Sequence, residues 1–303
     1  MKRRDFLKWQ MAGIGLINLP LWALDAQAVE AFPDVAVVKG SPAAATRAAV
    51  DLIGGMSRFV KPGQKVVVKP NMSFARAPDT ATNTHPEVVR EVLVMCKEAG
   101  ASKIRVLDHT LHDSEQTLQR SGIRDVCNSI EPGICHHLEN TSFYQDADLP
   151  EAKEMHANAF MLDVLEADVI IAVPVAKSHS GAGVSLALKG QMGLIYDRKI
   201  MHSRYDLATS IVDLAVRLKP ALSVIDATRV LTTNGPSGPG NVITPGEVIA
   251  SADPVAADAT AVASYEWYGH KMQPRQVAHI RLAHERGLGT MDIDALITKR
   301  TSV

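Results

Sequence analysis

The residues best suited to chemistry crowd into positions 177–202, KSHSGAGVSLALKGQMGLIYDRKIMH. Histidine titrates near neutrality. His179, with His109 from an earlier stretch, is therefore suited to act as acid on one side of a substrate carbon and base on the other. Lys189 stands among apolar residues in VSLALKGQMGL. A desolvated lysine holds its proton weakly and becomes nucleophilic. Lys69 and Lys177 add positive charge that favours a small anionic ligand bearing carboxylate or phosphate. Gly181, Gly183, Gly190 and Gly193 let a cofactor or a backbone come close, and a glycine-rich loop entering a helix suits phosphate. The same residues also have plainer roles: edge hydrogen bonding for the histidines, a surface snorkel for Lys189, helix packing for the glycines. No P-loop and no GxGxxG pattern is present, so ordinary ATP or NAD binding is not expected.

Strand ends must hold these groups. The apolar run at 168–174 leads into Lys177, Ser178 and His179. A second strand, 65–69, ends in Lys69, Pro70 and Asn71; a third, 103–107, ends in Asp108 and His109. Asp108 is expected to face away from His109 and support structure. Further strands are expected at 35–38, 134–138, 222–226 and 247–251. Helices are expected at 42–59, at 86–98 with Thr84 as cap, and at 114–128, 160–166, 206–218, 254–268 and 274–286. Asp253 and Asp258 should organise the start of the helix at 254, and Asp226 should orient a histidine or a metal. Residues 140–156 read as irregular, and the glycine- and proline-rich stretch 234–241 as a lid. Alternating strands and helices predict an α/β fold, Rossmann-like and doubly wound. Its sheet is mostly parallel, with helices on both faces. In such a sheet the three polar strand ends share one edge.

The first residues set an address. Arg3-Arg4 followed by Phe6, Leu7 and Lys8, an apolar run at 9–24, and Ala26-Gln27-Ala28 describe a twin-arginine export signal. Cleavage is expected after Ala28. Residues 29–303 then form a single α/β domain in the periplasm, with no transmembrane anchor. The export machinery is the first expected partner. It carries folded proteins, so a cofactor loaded in the cytoplasm would suit that route. A formal net charge of −1 gives no reason to expect nucleic acid. Cys96, Cys127 and Cys135 include no CxxC pair, so no iron–sulfur cluster is expected on this chain. Cys96 falls on an apolar helix face, and Cys127 and Cys135 can pair in an oxidising compartment. Cys135-His136-His137 has metal-ligating residue types, but no further ligand of fixed spacing accompanies it, which favours a strand or loop with a buried Cys and surface His.

Lys69-Pro70-Asn71, Thr84-x-Pro86, Lys177-x-His179, Lys189-Gly190-x-x-Gly193 and Asp253-Pro254-Val255-Ala256-Ala257-Asp258 form an ordered set. By that set the chain resembles domain of unknown function family 362 over nearly all its length after the leader. Many members are fused to ferredoxin modules. The resemblance thus implies a ferredoxin-type redox partner, and a non-catalytic accessory role in a periplasmic redox system as one outcome. This chain lacks the ferredoxin cysteines. A more distant similarity is to the lactate racemase family, carried by His109, His179, Lys189 and His202 in that order and by the ten-residue interval from His179 to Lys189. It implies a racemase or epimerase in which His109 and His179 move protons. Lys189 would carry a nickel pincer nucleotide and His202 would bind its metal. Arg76 would hold a substrate carboxylate, with Asn71 beside it, while Lys69, Lys177, Gly181 and Gly183 surround the cofactor. The interval from Lys189 to His202 is shorter than in that family, and most of its longer C-terminal domain has no counterpart.

Overall fold

Short β-branched runs bounded by turn residues build the sheet. In chain order the first strands are β1 (Val35–Lys39), β2 (Lys65–Pro70), β3 (Lys103–Asp108) and β4 (Cys135–His137). A separate hairpin follows, β5 (Tyr144–Asp148) with β6 (Ala157–Met161). Then come β7 (Val169–Val173), β8 (Val175–His179), β9 (Gly183–Ser185), β10 (Leu222–Leu231), β11 (Val242–Ile243) and β12 (Glu247–Ser251). A short hairpin, β13 (Glu266–Trp267) and β14 (His270–Lys271), precedes β15 (Thr298–Ser302). The structure is a computed structural model that describes residues 32–303. The export leader expected at residues 1–28 lies outside the described residues. Among those residues no helix is long and apolar enough to cross a membrane.

The main sheet runs β15-β1-β12-β10-β7-β2-β3-β4. Every strand on this path points the same way except β12, which is antiparallel to both neighbours. The fold is therefore α/β with a mostly parallel sheet. Helices cover both faces. On one side lie α1 (Pro42–Leu52), α2 (Met56–Phe59), α3 (Pro86–Glu98), α4 (Ser114–Arg120) and α5 (Ile123–Ile130). Their buried Val50, Val89, Leu93, Cys96 and Cys127 meet Val66, Val68, Ile171 and Val224. After α6 (Leu162–Leu165), α7 (Ala187–Gly190) and α8 (Lys199–Ser203), the other face is covered by α9 (Leu207–Arg217), α10 (Pro254–Ser264) and α11 (Ala278–Glu285). There Val67, Leu107, Ile225 and Ile249 meet Ile211, Leu214, Val255, Ala259 and Ile280. Val67 faces opposite to Val66 and Val68 because side chains alternate along a strand. Burial on both faces explains why β7, VIIAV, is apolar throughout.

Several elements differ from the sequence expectation. The helix at 42–59 breaks into α1 and α2 at Gly54 and Gly55, whose φ values are 106° and 74°. The helix at 114–128 breaks at Gly122, φ 72°. Thr84 does not cap α3; His85 does, its Nδ1 accepting the Glu87 N–H. Thr84 Oγ1 instead donates to the Val173 carbonyl and accepts the Asn71 N–H, joining the ends of β2 and β7. Residues 144–148 and 157–161 form a hairpin where irregular chain and the start of a helix were expected. Cys127 and Cys135 are free thiols rather than a disulfide. They adjoin each other, and that contact together with burial raises the Cys127 thiol above its ordinary range.

From β2 the chain progresses outward through β3 and β4, then returns to place β7 on the other side of β2. The strand order reverses between β2 and β7. At such a point the loops leaving two neighbouring strands diverge and open a crevice. Pro174 ends β7, and β8 continues past the sheet edge beside the far half of β10. This raised flap, with β9 folded back on β8, walls the crevice.

Candidate functional site

The crevice holds a cavity of about 320 Å³. β2 and its loop supply Lys69, Asn71, Ser73 and Phe74; β3 supplies Asp108. β8 contributes Lys177 and His179, the α7 turn Lys189, and the segment entering α8 Arg198, Lys199 and His202. Five cations thus face a single carboxylate.

That carboxylate is already committed. Lys69 Nζ lies 3.1 Å from Asp108 Oδ1 and donates to the Pro70 carbonyl at 2.6 Å. Asp108 Oδ2 accepts the Met72 N–H at 2.9 Å and the Ser73 hydroxyl at 2.7 Å. Gly193 packs flat against the pair: a Cβ there would fall 1.8 Å from Asp108 Oδ1 and 2.6 Å from Lys69 Cε. This close approach, not chain flexibility, explains the second glycine of Lys189-Gly190-x-x-Gly193. Asp108 is therefore a pocket wall and the partner of Lys69.

Lys177 is 2% exposed, donates from Nζ to the Thr82 carbonyl at 2.5 Å, and lies 4.9 Å over the Phe74 ring. Burial brings both Lys177 and Lys189 down to about 7, aided by the neighbouring cations. Burial also pulls Lys69 and Arg198 below their ordinary values. Lys189 Nζ makes no hydrogen bond or ion pair with the described residues. Its backbone is fixed from a distance: Asp258, at the middle of α10, accepts the N–H groups of Ala187 at 2.8 Å and Leu188 at 3.0 Å. Asp258 therefore builds the turn that carries Lys189. Only Asp253 caps α10, through the Val255 and Ala256 N–H groups.

His179 is held as a neutral donor. The N–H groups of Gly181 and Ala182 converge on its Nδ1 at 3.1 and 3.2 Å, which leaves the ring proton on Nε2. Desolvation, then the charges of Lys189 and His202, push its pKa down to about 2. The His202 ring stacks on it at 5.8 Å. Tyr268 fixes the flap, its hydroxyl accepting the His179 N–H and donating to the Gly183 carbonyl. The loop at 234–241 contributes Pro236 to the rim and is tied down by the Gly235 N–H to Ser178 Oγ at 2.9 Å. A Cβ at Gly235 would fall 1.9 Å from the Ser178 carbonyl oxygen, so no larger residue fits there.

The cavity gathers Lys69, Asn71, Lys177, His179, Gly181, Lys189 and His202 from the residues singled out in the sequence. It does not gather His109, Arg76 or Gly183. The His109 ring stacks on Tyr196 at 5.6 Å, and its Nδ1 meets the Ile195 carbonyl at 3.2 Å. Arg76 opens onto a separate surface groove with His112, Asp113 and Arg120. Gly183 ends the flap at φ 78°. Asn71 spends its Oδ1 on the Val175 N–H. Asp226 lies outside the cavity, where it accepts the His85 backbone N–H and the Arg229 guanidinium. Arg198, missed in the sequence, enters the cavity with Nη2 anchored on the Thr110 carbonyl. Its one sequence signal was a cation following the glycine segment, in YDRK.

A doubly wound α/β domain with a cationic crevice at its switch point is the class these features define. The chain belongs to the family described as Domain of unknown function (DUF362), matched over residues 66–263. A thylakoid-associated protein of Synechocystis sp. is 26% identical over 204 residues, 65% of this chain and 62% of that protein. The chain thus spans less than two thirds of that relative. The lactate racemase apoprotein from Thermoanaerobacterium thermosaccharolyticum aligns with a TM-score of 0.46 at 14% identity, over 72% of this chain and 54% of that one. A structural-genomics protein from Thermotoga maritima aligns at 0.40 and 13% identity, over 82% and 60%. Both likenesses are too loose to carry chemistry to this chain.

Proposed function

We propose that this chain is an exported protein that binds a small anionic ligand at the switch-point crevice. The observation that supports it most is the unbalanced charge: Lys177, Lys189 and Arg198 line one cavity whose sole carboxylate, Asp108, is used by Lys69. Buried charge is costly until it is compensated, and here a ligand carboxylate or phosphate is the missing counter-charge. The neutral Nε2–H of His179 offers a directed donor beside the cations. Export to the periplasm rests on the paired Arg3-Arg4 and on Ala26-Gln27-Ala28.

Racemisation by His109 and His179 is not what this geometry favours. Two proton carriers must face one carbon from opposite sides. His109 is stacked outside the cavity, and His179 has its acceptor nitrogen occupied. A nickel pincer nucleotide would bring three metal donors itself, so Lys189 and His202, which line the same cavity, would be the residues to hold it.

Calorimetric titration with sulfate and inorganic phosphate tests the binding reading. Lys177→Met should weaken both ligands about tenfold to a hundredfold, the worth of one charge-assisted contact. Equal affinity in the variant, or no binding by the native chain at millimolar anion, would sink it.

A further inference from the structure

Four lysines line the cavity, and two of them, Lys69 and Lys177, already have fixed partners. Lys69 Nζ is held by Asp108 and the Pro70 carbonyl, and Lys177 Nζ by the Thr82 carbonyl and the Phe74 ring. Among the described residues neither Lys189 Nζ nor Lys199 Nζ has a fixed partner, but Lys199 is exposed at the rim whereas Lys189 is half-buried. The Lys189 turn is rigidly placed by the two N–H bonds to Asp258. A free amine on a fixed backbone, ringed by cations, is the arrangement that keeps a lysine unprotonated and nucleophilic. Such a lysine attacks carbonyl carbons.

We propose that Lys189 forms an imine with its ligand, and that the ligand is a small aldehyde or ketone also bearing a carboxylate or phosphate. The proposal rests on the anion-binding reading: Lys177 and Arg198 would hold the anionic group while Lys189 reaches the carbonyl. The Nζ lone pair forms the C–N bond, and the carbonyl oxygen takes up a proton to give a carbinolamine. That oxygen then leaves as water, which carries away both amine hydrogens in total, and a C=N bond remains. No oxidant or reductant enters. Nε2–H of His179 is a ready donor to the carbonyl oxygen as it gains charge. Burial brings Lys189 to about 7, so a large fraction of the amine is free at neutral pH.

The test treats the full mature protein with pyridoxal 5′-phosphate or with glyoxylate, reduces with borohydride, and maps the adduct by peptide mass. Pyridoxal without the phosphate and acetaldehyde serve as uncharged controls. One adduct per chain is expected, on Lys189. It should form at a probe concentration at least tenfold below that of the matching control, be blocked by sulfate, and be lost in Lys189→Met but kept in Lys61→Met. The two probes distinguish a phosphate-bearing from a carboxylate-bearing ligand. Sulfate binding without a Lys189 adduct overturns the imine and leaves the anion site standing. Adducts scattered over surface lysines, without sulfate protection, overturn it as well. A Lys189 adduct formed equally by the uncharged controls overturns the anionic class.

Discussion

Asp108→Ala is expected to lower the melting midpoint by about 10 °C. The variant leaves Lys69 buried without its carboxylate, and breaking one side of a buried ion pair costs about 3–5 kcal/mol. It also strands the Met72 N–H and the Ser73 hydroxyl, both of which bond Oδ2. For a domain of this size each kcal/mol moves the midpoint by about 2–4 °C. Gly193→Ala should come close to the same loss, because the added methyl would overlap Asp108 Oδ1. The double variant Asp108→Leu with Lys69→Met should recover most of the stability, since a well-packed apolar pair can replace a buried ionic one. Thermal unfolding of the four proteins decides the matter. If Asp108→Ala costs under about 1 kcal/mol, Asp108 is not the clamp of the site.

The second large effect is in pH. Lys177 and Lys189 fall from an ordinary 10.5 to about 7 in the folded chain. A depressed folded value means that the stability these groups contribute is present above 10.5 and is lost as pH falls through about 7. Below that point both are charged and repel each other and Arg198. Sulfate keeps its charge across this range, so any change comes from the protein. Saturating sulfate should raise the midpoint by about 5–10 °C at pH 6, the worth of a ligand at a hundred times its dissociation constant. At pH 9, with both amines neutral and Arg198 left as the charged contact, the rise should be markedly smaller. A sulfate effect equal at both values, or greater at pH 9, would show that these lysines do not bind the anion.

Much of this arrangement was legible because strand ends announce themselves. Lys69-Pro70-Asn71, Asp108-His109 and Lys177-Ser178-His179 each follow an apolar run, and the parallel order carries all three to one edge. What alternation could not settle is which residue faces the cavity once the chain leaves the strand. His109 begins a turn pinned by its N–H to the Gly193 carbonyl, so its ring swings to Tyr196 while Asp108 keeps the cavity side. Arg198 was hidden for a different reason: the turn after Gly193 brings it in, and no periodic pattern encodes that turn. β15, TKRTS, was invisible because an exposed edge strand pairs through its backbone and needs no apolar face. The role of Asp258 was unreadable because both partners of the bond lie in different helices, 70 and 71 residues apart.

That last separation bears on how the chain acquires its reactive turn. Loop closure over such a span comes late in folding, after local helices and neighbouring strands have formed. Until α10 docks, the N–H groups of Ala187 and Leu188 have no acceptor, and Lys189 has no defined position. A partly folded chain, or one released before residue 258 is synthesised, therefore cannot present the amine. A ligand held by Lys189 would thus recognise the completed fold alone.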